Sequence, residues 1–298
     1  MKLSHESKVR LGVGIGAFVL IVGLVFGASR TLIHFDGPWD LDDVVSGLSG
    51  RDDAVDADVL NDGSNYSARP QQLSSATFDA DQFRYLDFDI AAATVDVKVV
   101  DDNKVRVIER GRVAKGVDAS KAATQNIASV EDSTLKVSRS GSDDGKAIDR
   151  SVTVELPRRV AEHLKGINAH VGSGDLQIAG VICDGLDLFL GAGDVEFTGS
   201  VTDALSAEVG SGDVTFELYQ APAKSMDVSV DSGDVEITVP NSTGFKASLT
   251  VGSGDFESDF LPLGYDGETI LNSEFDNGDK SATYRFEIGS GDVSFDSE

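Results

Sequence analysis

Six aspartates recur at a nearly fixed spacing in the second half of this 298-residue chain, and their carboxylates are its strongest candidates for chemistry. Each ends a Gly-Ser-Gly-Asp sequence or a close variant of it. The six are Asp175, Asp194, Asp213, Asp234, Asp255 and Asp292. Because Ca²⁺ prefers oxygen ligands, a stacked row of these side chains is a candidate calcium ladder. The sequence favours the alternative, in which each aspartate caps its own turn and the protein has no metal, no other cofactor and no catalytic residue.

The elements that would position these aspartates are strands. The aspartates are 19, 19, 21, 21 and 37 residues apart, and the last gap indicates a degenerate copy or an insertion. In most copies apolar residues lie eight, six and four places before the aspartate and one and three places after it. That alternation is typical of strands with one buried face. The sequence therefore predicts an all-β fold, a parallel β-solenoid (β-helix-like) of about 19–21-residue coils, because stacked coils favour the same corner chemistry in each. The alternative is an antiparallel β-sandwich.

The N-terminal segment has the character of a membrane anchor. Residues 11–28 are 18 uncharged, mostly apolar residues, and a helix of that length spans about 27 Å. Basic residues precede the run and acidic residues follow it, which predicts that the N-terminus lies in the cytoplasm. We therefore expect a cytoplasmic tail at 1–10, an uncleaved transmembrane helix at 11–29 and an extracytoplasmic remainder. A cleaved signal peptide is the competing interpretation.

The remainder divides by composition. Residues 30–79 are acidic, lack apolar periodicity and are rich in turn residues, so they are predicted to form a flexible linker. Alternation of apolar and polar residues begins near residue 80 and predicts a β-repeat domain at 80–298, with regular repeats at 166–298. The only cysteine, Cys183, is interpreted as a structural thiol, and His163 and His170 as surface residues.

Charge restricts the partners. The chain carries 25 basic and 51 acidic residues, and the part after residue 30 has 21 basic and 50 acidic residues, a net charge of −29. Such a field excludes nucleic acid and anionic lipid surfaces as partners. It suits a cation or a basic partner, and adaptation to high salt is another source of the same composition.

The chain resembles the putative-adhesin family of bacterial envelope proteins, a domain of unknown function with SGD-type β-strand repeats. The resemblance covers roughly residues 80–298. The matching segments are the Ser151–Pro157 strand, the Gly-Ser-Gly-Asp-Val/Leu corners and the closing Asn277–Lys280 turn followed by residues 284–293. The resemblance implies a parallel β-helix-like fold and a cell-envelope setting, with no established activity. Some relatives are connected with envelope-stress signalling.

These observations predict a non-enzymatic, single-pass protein of a bacterial cytoplasmic membrane that displays an acidic β-repeat surface. The surface would serve adhesion, scaffolding or protein interaction, with a cell-wall polymer or an envelope protein as partner. One alternative is an envelope-stress signalling module that acts through a membrane partner. Another is a polysaccharide-active β-helix enzyme, for which the repeats show no irregular copy with clustered acids and bases.

Overall fold

The computed structural model of the protein describes residues 65–139, 145–261 and 273–298. These residues belong to one compact unit, Asn61–Glu298. The predicted tail at 1–10, the predicted transmembrane helix at 11–29 and the linker up to residue 64 lie outside the described residues. Within the described part of the chain, no helix has the length and apolar character needed to cross a membrane.

The described chain is almost entirely β-structure. Its two helices are single turns, α1 (Ala119–Ala122) and α2 (Arg158–Ala161). The eighteen strands are β1 Gln71–Asp79, β2 Tyr85–Ile90, β3 Thr94–Val100, β4 Lys104–Val113, β5 Ala128–Glu131, β6 Thr134–Arg139, β7 Ala147–Pro157, β8 Leu164–Val171, β9 Asp175–Leu190, β10 Val195–Val209, β11 Val214–Gln220, β12 Ser225–Val230, β13 Val235–Val239, β14 Phe245–Val251, β15 Phe256–Ser258, β16 Ser273–Asn277, β17 Ala282–Ile288 and β18 Val293–Ser297. The all-β class predicted from the sequence is confirmed.

The strands form two mainly parallel ladders, which we call sheet I and sheet II. Sheet I has the order β5-β6-β2-β8-β9-β10-β12-β17-β14-β16. Sheet II has the order β1-β4-β7-β3-β9-β10-β11-β13-β18-β15. The long strands β9 and β10 bend and contribute their first halves to sheet II and their second halves to sheet I. A sheet I strand, a corner and the following sheet II strand make one rung, named below by its corner residue.

The core lies between the two sheets, as the period of two predicts. Val209 and Phe216 are buried, whereas their neighbours Glu208 and Thr215 are exposed. At one end of the solenoid, rings from both sheets meet: the centroids of Phe286 in sheet I and Phe295 in sheet II are 5.2 Å apart. Burial of these apolar rows is the main stabilising contribution, because a single rung cannot cover its own apolar face.

The rungs do not stack in sequence order at either end. The Asp292 rung, β17 and β18, lies between the Asp234 rung and the Asp255 rung, although it comes last in the chain. At the other end, β2 and β3 lie between the later strands β6 and β7 on one side and β8 and β9 on the other. Sequence order and spatial order agree only in the middle of the solenoid. The 37-residue gap before Asp292 therefore contains an inserted strand, β16, rather than a stacked copy of the repeat.

Antiparallel strands cover three of the four outer edges of the ladders. β5 pairs with β6, β1 with β4, and β16 with β14. Covered edges prevent uncontrolled strand pairing between molecules. Because β1 spans Gln71–Asp79 and pairs with β4 along its length, the β-domain begins earlier than the boundary at residue 80 that the sequence predicts. The linker prediction fails there because residues 71–79 satisfy their backbone groups by pairing with residues that lie 25 to 40 positions further along the chain.

A buried ion pair fixes the irregular segment after β4. Glu109 is fully buried, and its carboxylate accepts hydrogen bonds from the Arg150 guanidinium (2.8 Å) and from the backbone N–H of Thr124 (2.7 Å). The hydroxyl groups of Ser74 and Thr124 also donate to it, at 3.1 Å and 2.5 Å. These partners compensate the cost of burying the charge, and they attach the segment around α1 to β1, β4 and β7.

Candidate functional site

The corners of the rungs explain why the repeated motif contains its second glycine. A Cβ atom placed on Gly193 would lie well inside 3.0 Å of the carbonyl oxygen of Gly174, and one on Gly212 would meet Gly193 in the same way. The same relationship continues through Gly233, Gly291 and Gly254. Close approach of stacked backbones, and not a left-handed φ, therefore requires glycine at this position. Ala93 occupies it in the Thr94 rung, below Gly174.

In three of the corners the serine of the motif ties the corner to the neighbouring rung. The hydroxyl of Ser173 donates to the carbonyl oxygen of Ala91 (2.9 Å), that of Ser211 to Gly191 (3.3 Å) and that of Ser232 to Gly210 (3.2 Å). Backbone hydrogen bonds continue the ladder through the same corners, for example from Ala192 N–H to Gly172 at 2.9 Å. The corners are thus continuous with the sheets.

All six predicted site residues lie in one column, where sheet II begins. Five of the six carboxylates, those of Asp175, Asp194, Asp213, Asp234 and Asp292, accept a hydrogen bond from the backbone N–H of the aspartate in the adjacent rung. The donor–acceptor pairs, with their N–O distances, are Asp194–Asp175 3.4 Å, Asp213–Asp194 3.4 Å, Asp234–Asp213 3.3 Å, Asp292–Asp234 3.2 Å and Asp255–Asp292 2.9 Å. The aspartates therefore connect neighbouring rungs, whereas the sequence predicts that each caps its own turn. We call this arrangement the aspartate column.

Thr94 ends the aspartate column at the N-terminal side. It pairs in register with Asp175, and its hydroxyl donates to the second carboxylate oxygen of Asp175 at 3.3 Å. Thr94 could not be recognised by the repeated motif, because its corner, Ala91-Ala92-Ala93, lacks the glycines. The signal was the strand Val95–Val99, which repeats the alternation that follows each aspartate.

Partial burial raises the pKa of two carboxyl groups in the aspartate column, those of Asp194 and Asp234. The adjacent aspartates add to this increase. The hydrogen bond from the next backbone N–H opposes the increase. At the roughly 4.8 Å spacing of neighbouring strands, two unit charges repel by about 0.9 kcal/mol in water. Within the described residues, no group of three or more histidine, cysteine, aspartate or glutamate side chains has a metal-binding arrangement.

Sheet II presents further carboxylates beside the aspartate column, and together they form what we call the acidic face. The face consists of the six column aspartates with Glu196, Glu217, Glu236, Glu257, Asp259 and Asp296. Glu196, Glu236 and Glu257 belong to one row of the sheet, two residues along from the aspartates. In the described part of the chain none of these twelve carboxylates forms an ion pair with lysine or arginine. The sequence motif does not include these glutamates, but three of them, Glu196, Glu236 and Glu257, lie two positions after an aspartate of the motif, and this was the available signal.

Charge is divided unevenly along the solenoid. Residues 65–165 contain 16 basic and 16 acidic residues, whereas residues 166–298 contain 4 basic and 25 acidic residues, a net charge of −21. The first part is also where ion pairs are dense, for example Arg106 with Glu155 at 2.6 Å. The negative field of the protein therefore originates mainly from the regular repeats.

The remaining sequence candidates have structural surroundings. Cys183 is buried, its Sγ lies 3.8 Å from the carbonyl oxygen of Ser200, and burial raises its pKa to about 12. A thiol in that state is inert, which agrees with the predicted structural role. His163 and His170 are exposed, as predicted, and His170 stacks on Phe189 with ring centroids 4.6 Å apart.

A repetitive β-protein whose rungs present one row of acidic corners is the class that this fold and site define. Residues 96–296 match the Toastrack DUF4097 family, and the chain belongs to that family. The predicted resemblance to a putative-adhesin domain of unknown function is thereby confirmed. No curated protein matches the chain.

Several solved structures are similar to this chain. A putative cell adhesion protein from Clostridium sporogenes has 12% identity, with 77% of this chain and 100% of that chain covered and a TM-score of 0.48. A putative adhesin from Bacteroides fragilis has 15% identity, coverage of 74% and 96% and a TM-score of 0.42. A putative lipid binding protein from Parabacteroides distasonis has 15% identity, coverage of 75% and 96% and a TM-score of 0.31.

Proposed function

We propose that this protein is a non-enzymatic interaction module of the bacterial cell envelope, in which the acidic face of sheet II binds a basic envelope protein. In this proposal residues 11–29 anchor the chain in the cytoplasmic membrane as a single span, with residues 1–10 inside and the β-domain outside. The sequence run at 11–28 and the charge asymmetry around it support the anchor. Membership of the Toastrack DUF4097 family agrees with an envelope role.

The observation that carries the proposal is the set of twelve carboxylates on the acidic face that have no basic partner in the described residues. Their mutual repulsion is a cost that a structural surface would avoid by interspersing lysine and arginine. The first part of the same domain does so, with equal numbers of acidic and basic residues. A basic partner would neutralise the acidic face, and the field would increase its rate of association.

The shape of the acidic face also suits a macromolecular partner. Glu196 and Glu236 project from sheet II two rungs apart, so their separation is roughly 9.6 Å. Glu257 continues this alternation, and the six rungs of the aspartate column together make a surface about 24 Å long. Such an extended surface binds through many weak contacts rather than through a closed pocket.

Two matched charge-inverting variants test the proposal. The first is Glu196→Lys with Glu236→Lys on the acidic face. The second is Glu208→Lys with Glu287→Lys, which makes the same change in net charge on the outer face of sheet I. Each form is crosslinked in its native cells to identify its partners, and in parallel pull-downs without crosslinker the bound partners are eluted with increasing salt.

We expect the acidic-face variant to lose its basic partners and the sheet I variant to keep them. Elution by moderate salt is expected because exposed charges are screened within about 8–10 Å. Equal recovery from both variants, or partners without an excess of basic residues, would contradict the proposal.

A further inference from the structure

The outer face of sheet I holds an open groove of about 550 Å³, on the opposite side of the solenoid from the acidic face. The groove crosses β6, β2, β8, β9, β10 and β12, and its length is therefore roughly 24 Å. We call it the sheet I groove. The residues that line the groove stand in register on these strands.

Small residues make the floor of the groove. Gly166, Gly185, Ala204 and Ser225 stand in one row, each paired with the next across the sheet. A Cβ atom on Gly185 would have no neighbour closer than the carbonyl oxygen of Ala204, at 3.8 Å. The space above Gly185 is therefore open, and the glycine is not required there by backbone contact.

An exposed aromatic ring closes one end of this row. Tyr85 pairs with Gly166, and its ring lies over that glycine, because a Cβ atom on Gly166 would be 3.1 Å from Tyr85 Cδ1. The Tyr85 side chain is 45% exposed. Its hydroxyl makes no hydrogen bond with a described residue, so both the ring face and the hydroxyl are available to a ligand.

Polar side chains make a second row, two residues further along each strand. The row runs Asp87, Asn168, Asp187, Ser206 and Asp227 on adjacent strands. Asn168 Nδ2 donates to Asp87 Oδ1 at 2.9 Å, whereas Asp187 and Ser206 have no hydrogen bond with a described residue. The three carboxylates thus stand on alternate strands, roughly 9.6 Å apart.

We propose that the sheet I groove binds an extended, uncharged oligosaccharide. A tyrosine ring offers an apolar face on which the C–H face of a pyranose can stack, and its hydroxyl can bond a sugar hydroxyl. Carboxylate and amide oxygens accept hydrogen bonds from further hydroxyl groups. One sugar ring of an extended glycan advances by nearly the same length as one strand-to-strand step, so successive rings would meet equivalent strands.

Charge and geometry disfavour an anionic polymer and a peptide that adds a strand. Three carboxylates outnumber the two nearby cations, Lys136 in the lining and Arg285, which lies 3.9 Å from Asp227, so the groove repels an anionic polymer. The groove lies on the face of a sheet, away from its edges, so it offers no backbone groups for pairing with an extended peptide. This proposal is independent of the acidic face, since the two surfaces share no residue.

The test is calorimetric titration of the protein with cellohexaose and with chitohexaose. Tyr85→Ala removes the stacking ring, and Gly185→Leu fills the groove from its floor. The controls on sheet II are Tyr219→Ala, which removes a ring that is 57% exposed, and Thr215→Leu, which also places a leucine at an outward position. Thermal melting of each variant verifies that it is folded.

We expect saturable binding of at least one hexasaccharide, weakened roughly tenfold by Tyr85→Ala and abolished by Gly185→Leu, with both controls at wild-type affinity. A sulfated hexasaccharide is expected not to bind. Glu196→Lys with Glu236→Lys should leave sugar binding unchanged, which separates this site from the acidic face. Absence of binding to both sugars, or binding that neither groove variant weakens, would overturn the proposal. The proposal would also be overturned if the protein bound a basic peptide and the Gly185→Leu variant lost that binding.

Discussion

Asp234 accepts a hydrogen bond from the backbone N–H of Asp292 at 3.2 Å, although 58 residues separate the two in the chain. Asp255, which follows Asp234 by one repeat in the sequence, instead donates to Asp292 at 2.9 Å. The last rung of the chain is therefore inserted between the two rungs before it. The aspartate column remains continuous because each corner offers the same donor and the same acceptor.

The second glycine of each Gly-Ser-Gly-Asp corner should be the position of the corner that tolerates substitution least. We expect Gly212→Ala to lower the free energy of unfolding by about 3 kcal/mol or more, because the new methyl group would collide with the backbone carbonyl of Gly193. Gly185→Ala is the matched control, since its Cβ has ordinary space. Urea unfolding measures both, and equal losses would contradict the close-approach explanation.

The raised pKa of Asp234 gives a stability change of defined sign. A carboxyl whose pKa is higher in the folded state than in the unfolded state favours folding when it is protonated, and that stabilisation is lost as the pH rises through the folded pKa. We therefore expect Asp234→Asn, which keeps an acceptor for Asp292 N–H without the charge, to melt at a higher temperature than the wild type at pH 7. The difference should vanish below the ordinary aspartate pKa of about 3.9.

Asp279 provides the control of opposite sign. Hydrogen bonds from the Ser281 hydroxyl and backbone N–H lower the pKa of this carboxyl. Its stabilising effect is present at pH 7 and is lost as the pH falls through its lowered pKa. Asp279→Asn should therefore melt at a lower temperature than the wild type at pH 7. If both asparagine variants shift melting in the same direction at pH 7, the burial argument for Asp234 is wrong.

Calcium distinguishes a structural aspartate column from a binding one. Because the column carboxylates accept backbone N–H groups, we expect millimolar calcium to shift the melting temperature no more than sodium chloride of equal ionic strength. A true site at a hundredfold excess over its dissociation constant would add about 2.7 kcal/mol, which is several degrees at roughly 2–4 °C per kcal/mol. A calcium-specific rise that Asp213→Asn abolishes would make divalent-cation binding the leading function.

Much of the architecture follows from the sequence, and the exceptions have physical causes. Period-2 alternation predicted the strand positions and the buried rows around Val209 and Phe216. The exchange of the last two rungs was not predictable, because Asp255 and Asp292 have the same Gly-Ser-Gly-Asp corner and either one can stack on Asp234. Identical corners determine how rungs stack, but not which rung is the neighbour.

The burial of a charged residue was the second feature that the sequence pattern did not predict. Val105, Val107, Glu109 and Val113 alternate on one face of β4, so the period placed Glu109 inside, where charge alone suggests an exposed residue. Its partners are 15 to 41 residues away in the chain, and no local pattern reveals them. The acidic face was foreseen in its corner aspartates and in the net charge, but not in the glutamate row beside them.

Glu109 should therefore be the most sensitive acidic residue of the domain. We expect Glu109→Ala to cost about 3–5 kcal/mol in the free energy of unfolding, because it removes the carboxylate partner of the buried Arg150 guanidinium. Glu131→Ala, which breaks the exposed pair with Lys136, is the control and should leave the urea midpoint nearly unchanged. A small effect at Glu109 would show that the network is not required for stability.

Topology is tested by protease added to spheroplasts. If residues 11–29 form an uncleaved anchor with the N-terminus inside, the β-domain is digested from outside and its intact form sediments with the membrane fraction. A protected domain, or a soluble domain released by cleavage near Ala28, would refute the predicted anchor.

The exchanged rungs at the two ends have a consequence for how the chain is made. β14 and β15 cannot reach their final neighbours until β17 and β18, which follow them in the chain, have left the ribosome, so that end of the domain must assemble later than the middle. Pairings between distant segments also slow folding. The exchange of rungs also restricts how the protein can change in length over evolution. A repeat added after the Asp292 rung would find no free neighbour, because that rung already has the Asp234 and Asp255 rungs on its two sides. A repeat added near β10 and β11 would extend a stack in which chain order and spatial order agree. Relatives of different size are therefore expected to differ in the middle of the solenoid, and an engineered duplication of residues 186–204 should fold where a C-terminal duplication does not.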